Sequence, residues 1–297
     1  MPPAATTLVN EDPTSDKTSV DSTVEHASVP TPVGLEYHEV KTHKDVVNKL
    51  ASKVNKDEQF FIVARRTAPF SRILKLWQRQ SSKSCATNIL RVHYSGEDGI
   101  DSGAMALEFL EKTIQEIGSK MFTGGTPIES SSHVQSGDFR TCGEIIAVSL
   151  AQGGSPPCFL DQCSYDGTFK DIDMTNITSE QLSSKELQLL SKVRSDCTKH
   201  VDLILEKGYT GPIDVEHIEA IIGSLKVGIV SKHALHMKEF VIGLNSYGMA
   251  DMIKSKLDEC RPLFVNGALK NEVVPDADYL YSLMMPQYSR GIFKEGR

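Results

Sequence analysis

The most constraining feature of the chain is residues 88–112, "NILRVHYSGEDGIDSGAMALEFLEK", where apolar spacing changes from that of a strand to that of a helix. Alternate residues from 90 to 94 are apolar, which predicts a strand with one buried face. Apolar residues between 106 and 117 recur every three or four positions, which predicts a helix. A glycine-punctuated acidic turn lies between them, and Asp101 and Ser102 stand where a helix N-cap is expected. The stretch therefore predicts a strand, a tight turn and a helix.

Three further elements are predicted upstream of this stretch. Residues 43–54 carry apolar side chains at helical spacing, and "QFFIVARR", residues 59–66, is a short apolar run that predicts a buried strand. "FSRILKLWQRQ", residues 70–80, predicts an amphipathic helix whose apolar face includes the only tryptophan of the chain. Ser71 is placed as a cap or first-turn residue of that helix.

"FRTCGEIIAVSLAQGG", residues 139–154, predicts a different kind of helix. Its apolar residues occupy most of the circumference, so we expect it to be buried nearly all round. Gly143 would allow another backbone to approach closely, because it has no side chain. Glycine and proline residues between 153 and 157 end the helix.

From residue 178 onward the pattern is predominantly helical. The segments with helical spacing are residues 182–193, 201–205, 218–225, 235–247 and 248–257. Gly208 is expected to end the second of these helices, and Asp214 can cap the third. The sequence thus predicts an α+β, mostly helical fold with two subregions, an α+β part to about residue 160 and a mostly helical remainder.

The charge of the chain limits its partners. The 297 residues carry a net charge of -7, which argues against general nucleic-acid or anionic-membrane binding because phosphate-rich partners attract basic surfaces. The sequence contains neither an apolar run of the roughly 20 residues that span a bilayer nor a signal-peptide pattern at its start. We therefore expect a cytoplasmic or nuclear protein. Residues 1–35, rich in Ser, Thr, Pro and acidic side chains, are predicted to be a disordered tail.

The acidic residues of the turn, Glu97, Asp98 and Asp101, form the first candidate site. Paired glycosidase carboxylates need opposed positions around a substrate, and an oxygen-only metal loop needs more than three ligands. Carboxylates at a turn before a helix also bind free backbone amides and favour the helix dipole. We therefore interpret this cluster as a turn and helix start rather than as a catalytic site.

Glycine-rich and histidine-containing segments form the next candidates. "FTGGT", residues 122–126, and "AQGGS", residues 151–155, have neither the P-loop ending nor the Rossmann glycine spacing. His233 and His236 stand three apart on a predicted helix, without a neighbouring pair that would complete a metal site. We interpret both histidines as surface or packing residues.

The cysteines are scattered, without a CxxC pair or zinc-ligand spacing. They are Cys85, Cys142, Cys158, Cys163, Cys197 and Cys260. Reduced thiols in a reducing compartment are the expected state, and no nearby group indicates a lowered thiol pKa. The residues alone therefore predict no catalytic, cofactor-binding or metal-binding site.

The order of these segments resembles the N-terminal lobe of HECT-type ubiquitin ligases. That family shows a strand, a Trp-bearing helix and then "L.V.F.GE.G.D.GG...EF", which corresponds to "LRVHYSGEDGIDSGAMALEFL". The matching residues are Leu90, Val92, Tyr94, Gly96, Glu97, Gly99, Asp101, Gly103, Glu108 and Phe109. Residues 139–154 look like the family's buried helix, and residues 237–267 resemble its "F..GL...G.L.......LF..G" segment. Within that family, the sequence most resembles the divergent HECT-like domains that are related to the G2/M-phase-specific ubiquitin ligase.

The resemblance implies a HECT N-lobe-like fold with a larger α+β subdomain and a smaller helical subdomain. The domain boundaries that it implies are a tail at 1–35, the N-lobe-like domain at 36–288 with its weakest match at 160–230, and a truncated end at 289–297. The implied partners are a ubiquitin-conjugating enzyme, which the small subdomain docks, and the ubiquitin that this enzyme carries.

The sequence also departs from the family's pattern. The family's catalytic cysteine lies in a Thr-Cys motif of a C-terminal lobe, whereas Cys197 precedes Thr198 in the reverse order and Cys260 falls within the N-lobe-like segment. Position 104 is Ala instead of a second Gly. We therefore expect this chain, although related to ubiquitin-protein transferases, to be inactive on its own as a truncated form. There are two alternatives. The first is a non-catalytic protein-interaction module that keeps the fold, and the second is an unrelated hydrolase with an unrecognised cysteine.

Overall fold

The computed structural model describes residues 37–97 and 103–269, which form an α+β fold made mostly of helices, as predicted. The helices are α1 (His43–Ala51), α2 (Phe70–Ser81), α3 (Ala104–Met121), α4 (Ser131–Gln135), α5 (Asp138–Ala151), α6 (Gln162–Phe169), α7 (Ser184–Ser195), α8 (Val201–Glu206), α9 (Ile218–Leu244), α10 (Met249–Ser255) and α11 (Leu257–Phe264). The strands are β1 (Asn55–Ala64), β2 (Asn88–Tyr94), β3 (Phe122–Thr123) and β4 (Thr126–Pro127). The predicted tail, residues 1–35, and residues 289–297 lie outside the described residues.

β1 and β2 are parallel neighbours joined by α2, with Phe60 opposite Leu90. Phe60 and Ile62 point into the core, whereas Phe61 and Val63 are 47% and 48% exposed. The predicted strand is confirmed, but the prediction that it is buried is wrong for its outer face. A run of consecutive apolar residues does not reveal whether a second layer covers the sheet.

The helix predicted from residues 70–80 is confirmed as α2. Its predicted apolar face is buried and consists of Phe70, Ile73, Leu74 and Trp77. Pro69 is the N-cap, so Ser71 lies in the first turn. The Trp77 ring packs between Phe60 and Phe109, with centroid distances of 4.7 and 6.4 Å. α2 is thereby anchored to both β1 and α3.

The strand and the helix of the 88–112 stretch are also confirmed. Buried and half-buried residues alternate along β2. α3 begins at Ala104, and its N-cap is Gly103 with a φ of 107°. The predicted cap residues, Asp101 and Ser102, lie outside the described residues. The chain enters this helix through a left-handed conformation, which glycine adopts at little steric cost.

α5 is buried nearly all round, as predicted, and crosses α9 at two glycines. A Cβ atom at Gly143 would lie 2.1 Å from the Phe240 carbonyl oxygen, and one at Gly243 would lie 1.8 Å from the Arg140 carbonyl oxygen. Each helix therefore presents a bare backbone to the other. The expectation that Gly143 allows a close backbone approach is confirmed.

The C-terminal helices differ from the prediction in two ways. The segments predicted at 218–225 and 235–247 belong largely to one 27-residue helix, α9, followed by a short 3-10 turn. The N-cap of α9 is His217, and Asp214 accepts a hydrogen bond from the His217 backbone N–H at 3.0 Å. Asp214 thus caps the turn before the helix instead of the helix itself.

The buried apolar residues fall into two hydrophobic clusters. The main cluster draws on residues 37–169 and 237–265, whereas the helical cluster draws on residues 177–230. α9 contributes Leu225 to the helical cluster and Phe240 to the main cluster. The predicted change near residue 160, from an α+β part to a mostly helical remainder, agrees with the order of the described elements, and the chain returns to the main cluster after residue 230. Within the described residues, none of the helices combines the length and apolarity needed to cross a membrane.

Candidate functional site

Glu97, the described residue of the acidic turn, is bound by an arginine. Arg66 binds Glu97 through two hydrogen bonds, its Nε at 2.5 Å and its Nη2 at 3.0 Å, and it also pairs with Glu108. Its guanidinium carbon lies 4.1 Å from the centre of the Tyr94 ring. The hydrogen bonds from Arg66 lower the pKa of Glu97. Glu97 is therefore a structural anion that joins the ends of β1 and β2, while Asp98 and Asp101 lie outside the described residues.

The two glycine-rich segments have structural roles. Gly124 and Gly125, with φ of 68° and 92°, form the turn between β3 and β4, as expected of a two-residue hairpin loop. A Cβ atom at Gly125 would lie 2.4 Å from the Asp161 backbone nitrogen. Gly153, with a φ of 79°, follows the C-cap of α5 and ends that helix as predicted.

His233 and His236 lie on α9, as predicted, but in different surroundings. His236 is 4% exposed, its Nε2 accepts from the Ser130 backbone N–H at 3.1 Å, and its Nδ1 lies 2.6 Å from the Lys232 carbonyl oxygen. His233 lies 3.5 Å from Glu186, and burial lowers its pKa although Glu186 acts in the opposite direction. Among the described residues, no group of three or more His, Cys, Asp or Glu side chains could hold a metal ion.

The six cysteines, all within the described residues, have free thiols. Burial raises the pKa of Cys142, Cys158 and Cys163, and it raises the pKa of Cys260 to about 12. Cys260 is also fully buried. A thiolate nucleophile requires the opposite change in pKa. Cys142 and Cys260 are therefore packing residues, while Cys158 and Cys163 are half-buried thiols whose ionisation is disfavoured.

A small cavity lies beside His233. Its volume is about 30 Å³, and its lining includes Cys163, Ser164, Glu186 and His233. The Ser164 hydroxyl is buried and has no hydrogen-bond partner among the described residues. A space of this size holds one or two water molecules, which is too small for a substrate.

Charged residues connect the helical cluster to the chain before α4. Lys207 is nearly buried and binds Glu129 at 2.5 Å, and Lys232 binds Glu129 at 3.1 Å and Glu206 at 3.3 Å. Burial pushes the pKa of Glu129 up, but the hydrogen bonds from the two lysines outweigh burial and lower it. The sequence prediction missed this network, because its members are separated by up to 103 residues along the chain.

The helical cluster also exposes apolar side chains next to this network. On α8, Ile204 is buried, whereas Val201 and Leu205 are 37% and 52% exposed. Val215, in the following loop, is 79% exposed. We call Val201, Leu205 and Val215 the α8 surface. The sequence pattern located the helix but not its orientation, because four apolar residues in six positions fit more than one face.

Val201 and Leu205 lie one helical turn apart, so both project from the same side of α8. Aliphatic side chains at this spacing are suited to contact with another protein. They supply neither acid, base nor nucleophile.

Comparison with known proteins shows that the sequence matches no family model and no curated protein.

Proposed function

We propose that this chain contains a HECT-type N-lobe that docks a ubiquitin-conjugating enzyme through its helical cluster, in the cytoplasm or nucleus. The observation that carries the proposal is a helical cluster with its own buried core and an exposed apolar surface, beside a larger α+β core. This arrangement agrees with the larger and smaller subdomains that the resemblance implies. The ubiquitin would enter as the group carried by the docked enzyme.

Contacts between the segments that resemble the family give further support. Tyr94, Glu97 and Glu108, which belong to the matched pattern, all contact Arg66. The other two matched segments cross each other at Gly143 and Gly243. Residues that the resemblance selects from distant parts of the sequence therefore form two compact contact sets.

The chemistry of four of the six thiols favours docking over transfer by this chain. Thioester exchange needs an accessible thiolate, and its rate depends on the fraction of thiol that is ionised. The four cysteines with a raised pKa do not supply one near neutral pH. Within this proposal the chain positions a conjugating enzyme that carries ubiquitin. A separate nucleophile would carry out the transfer of that ubiquitin.

The test is binding of the chain to a panel of ubiquitin-charged conjugating enzymes, measured by biolayer interferometry. We expect at least one to bind and the substitution Leu205→Glu to weaken that binding roughly tenfold or more, because a charge would replace an apolar contact. Phe61→Glu is the matched control, since Phe61 is similarly exposed but lies on the sheet. Equal loss in both variants would argue against docking through α8.

A non-reducing gel of the same mixtures tests the absence of transfer. We expect no ubiquitin adduct that a reducing agent removes, and an adduct lost in Cys260→Ser would overturn this part of the proposal. If no charged enzyme binds, the second function is favoured, namely a non-catalytic protein-interaction module. The exposed α8 surface supports that function as well, because it suits protein contact without requiring ubiquitin.

A further inference from the structure

The outer side of α9 is exposed along most of the helix and carries little charge. We call this surface the outer stripe. It consists of Ala220, Val227, Ser231, Leu235, Lys238 and Ile242. The three largest apolar members, Val227, Leu235 and Ile242, are 39%, 54% and 46% exposed. At 100° per residue, all six members fall within roughly 80° of the helix circumference.

A helix at the surface of a protein normally places charged residues outward and apolar residues inward. α9 instead has apolar residues on both sides, because Ile221, Leu225 and Phe240 are buried while the outer stripe is also apolar. Lys238 is the one charged member of the stripe, and Glu219 at its margin is already paired with Arg194. The stripe is thus typical of a helix face that contacts another protein.

We propose that the outer stripe pairs with the same stripe of a second copy, in an antiparallel two-fold dimer centred on Ser231. In this arrangement Ala220 faces Ile242 and Val227 faces Leu235. Ser231 faces its own counterpart, where a small side chain lets the two helices approach. Each apolar residue therefore meets an apolar residue, as a self-complementary interface requires.

The position of Lys238 decides the orientation of the two helices. In the antiparallel dimer Lys238 faces Ser224, and the two Lys238 side chains lie roughly 21 Å apart along the helices at 1.5 Å per residue. In a parallel dimer the two ammonium groups would face each other, which costs energy because they repel. The antiparallel order is favoured for this reason.

The size of the stripe places the dimer among small, weak interfaces. The stripe is roughly 33 Å long and 10 Å wide. Two copies would therefore bury on the order of 700 Å² in total, which is below the roughly 1,200 Å² of stable complexes. We therefore expect reversible association with a dissociation constant on the order of tens of micromolar.

Sedimentation velocity of the full chain over a concentration series tests the dimer. We expect a concentration-dependent monomer–dimer equilibrium, which Leu235→Glu weakens roughly a hundredfold because it places an unpaired carboxylate in the interface. Phe61→Glu, on the sheet, should leave the equilibrium unchanged. A chain that stays monomeric at roughly ten times the expected dissociation constant would overturn the proposal. A dimer unaffected by Leu235→Glu would do the same.

Disulfide cross-linking tests the orientation and does not depend on how a charged variant folds. In a Cys85→Ser background, which removes the exposed native thiol, Val227→Cys and Leu235→Cys chains are prepared separately and then mixed. The antiparallel dimer should link a Val227→Cys chain to a Leu235→Cys chain, whereas each variant alone should link poorly. Efficient linking of each variant with itself would indicate parallel helices, and failure of the mixture to link would contradict the proposed pairing.

Discussion

At the residue scale, two glycines set the distance between α5 and α9. Gly143 and Gly243 bring the two backbones together, and the space for a methyl group at Gly243 is already filled by the Arg140 carbonyl. The neighbouring main-chain atoms belong to buried helices and have little room to move. The crossing therefore depends on the absence of side chains at these two positions.

Gly243→Ala is expected to reduce the free energy of unfolding by about 3 kcal/mol, because the new methyl group forces the two helices apart. Gly223→Ala on the same helix is the matched control. A Cβ atom there has nothing within 4 Å, so we expect a gain of about 0.5 to 1 kcal/mol from helix propensity. Urea unfolding followed by Trp77 emission measures both values. Equal stabilities of the two variants would contradict the close crossing.

His233 should make the stability of the fold depend on pH. Its pKa is lowered by burial, with Glu186, Glu129 and Asp161 acting to raise it and Lys207 acting to lower it. Because the folded-state pKa is below the unfolded value of about 6.5, the unfolded chain binds more protons in this range. Stability is then fully present above about pH 6.5 and falls as pH is lowered through the folded-state pKa.

We expect His233→Gln to remove most of this loss between pH 7 and about pH 5.5. The measurement is the free energy of unfolding at each pH for both proteins. Glu129 provides no competing change in this range, because its pKa is lowered from 4.5. An unchanged pH profile in the variant would show that other groups cause the acid sensitivity.

At the element scale, a side chain at the end of α5 binds the backbone of β2. Gln152 Oε1 accepts from the Leu90 backbone N–H at 2.8 Å, and its Nε2 donates to the Asn88 carbonyl oxygen at 2.9 Å. The same Nε2 donates to the Tyr247 hydroxyl oxygen at 3.0 Å. One amide group therefore joins β2 to the end of α5 and to the chain after α9.

Gln152→Met should lower the free energy of unfolding by about 2 to 3 kcal/mol, because it leaves buried backbone groups of β2 without partners while keeping the side-chain size. Gln115→Met, at an exposed position of α3, is the control and should stay within about 0.5 kcal/mol of the native protein. Urea unfolding of the three proteins provides the comparison. Two equally stable variants would mean that solvent or another group satisfies the Leu90 N–H and the Asn88 carbonyl.

At the scale of the whole molecule, the two hydrophobic clusters should differ in local stability. The helical cluster contains 11 buried apolar residues and the main cluster many more, while α9 crosses from one to the other. Local opening requires less energy where fewer apolar contacts are lost. The cluster that carries the α8 surface is therefore the part of the described fold expected to open first.

Hydrogen exchange measured by mass spectrometry should show this difference. We expect the amides of α7 and α8 to exchange faster than those of α5, which is buried nearly all round. Within α9, the half that contains Phe240 should be better protected than the half that contains Leu225. Uniform protection across all four segments would indicate that the two clusters open as one unit.

The sequence by itself determined most of the elements and several of their inward faces. Trp77 and its neighbours on α2, the alternation along β2 and the all-round burial of α5 follow from local spacing, because spacing fixes which side chains share a face. It also predicted that Gly143 permits a close approach. These features depend on residues that are near one another in the chain.

Tertiary structure decided what covers each face and which distant groups meet. The outer face of β1 is exposed, Val201 and Leu205 face outward, and the helices predicted at 218–225 and 235–247 join largely into α9. Lys207 and Lys232 meet Glu129 only because the chain folds back on itself. Apolar spacing records a preference for burial without recording the partner, so the α8 surface and the outer stripe became visible only once the neighbouring elements were in place.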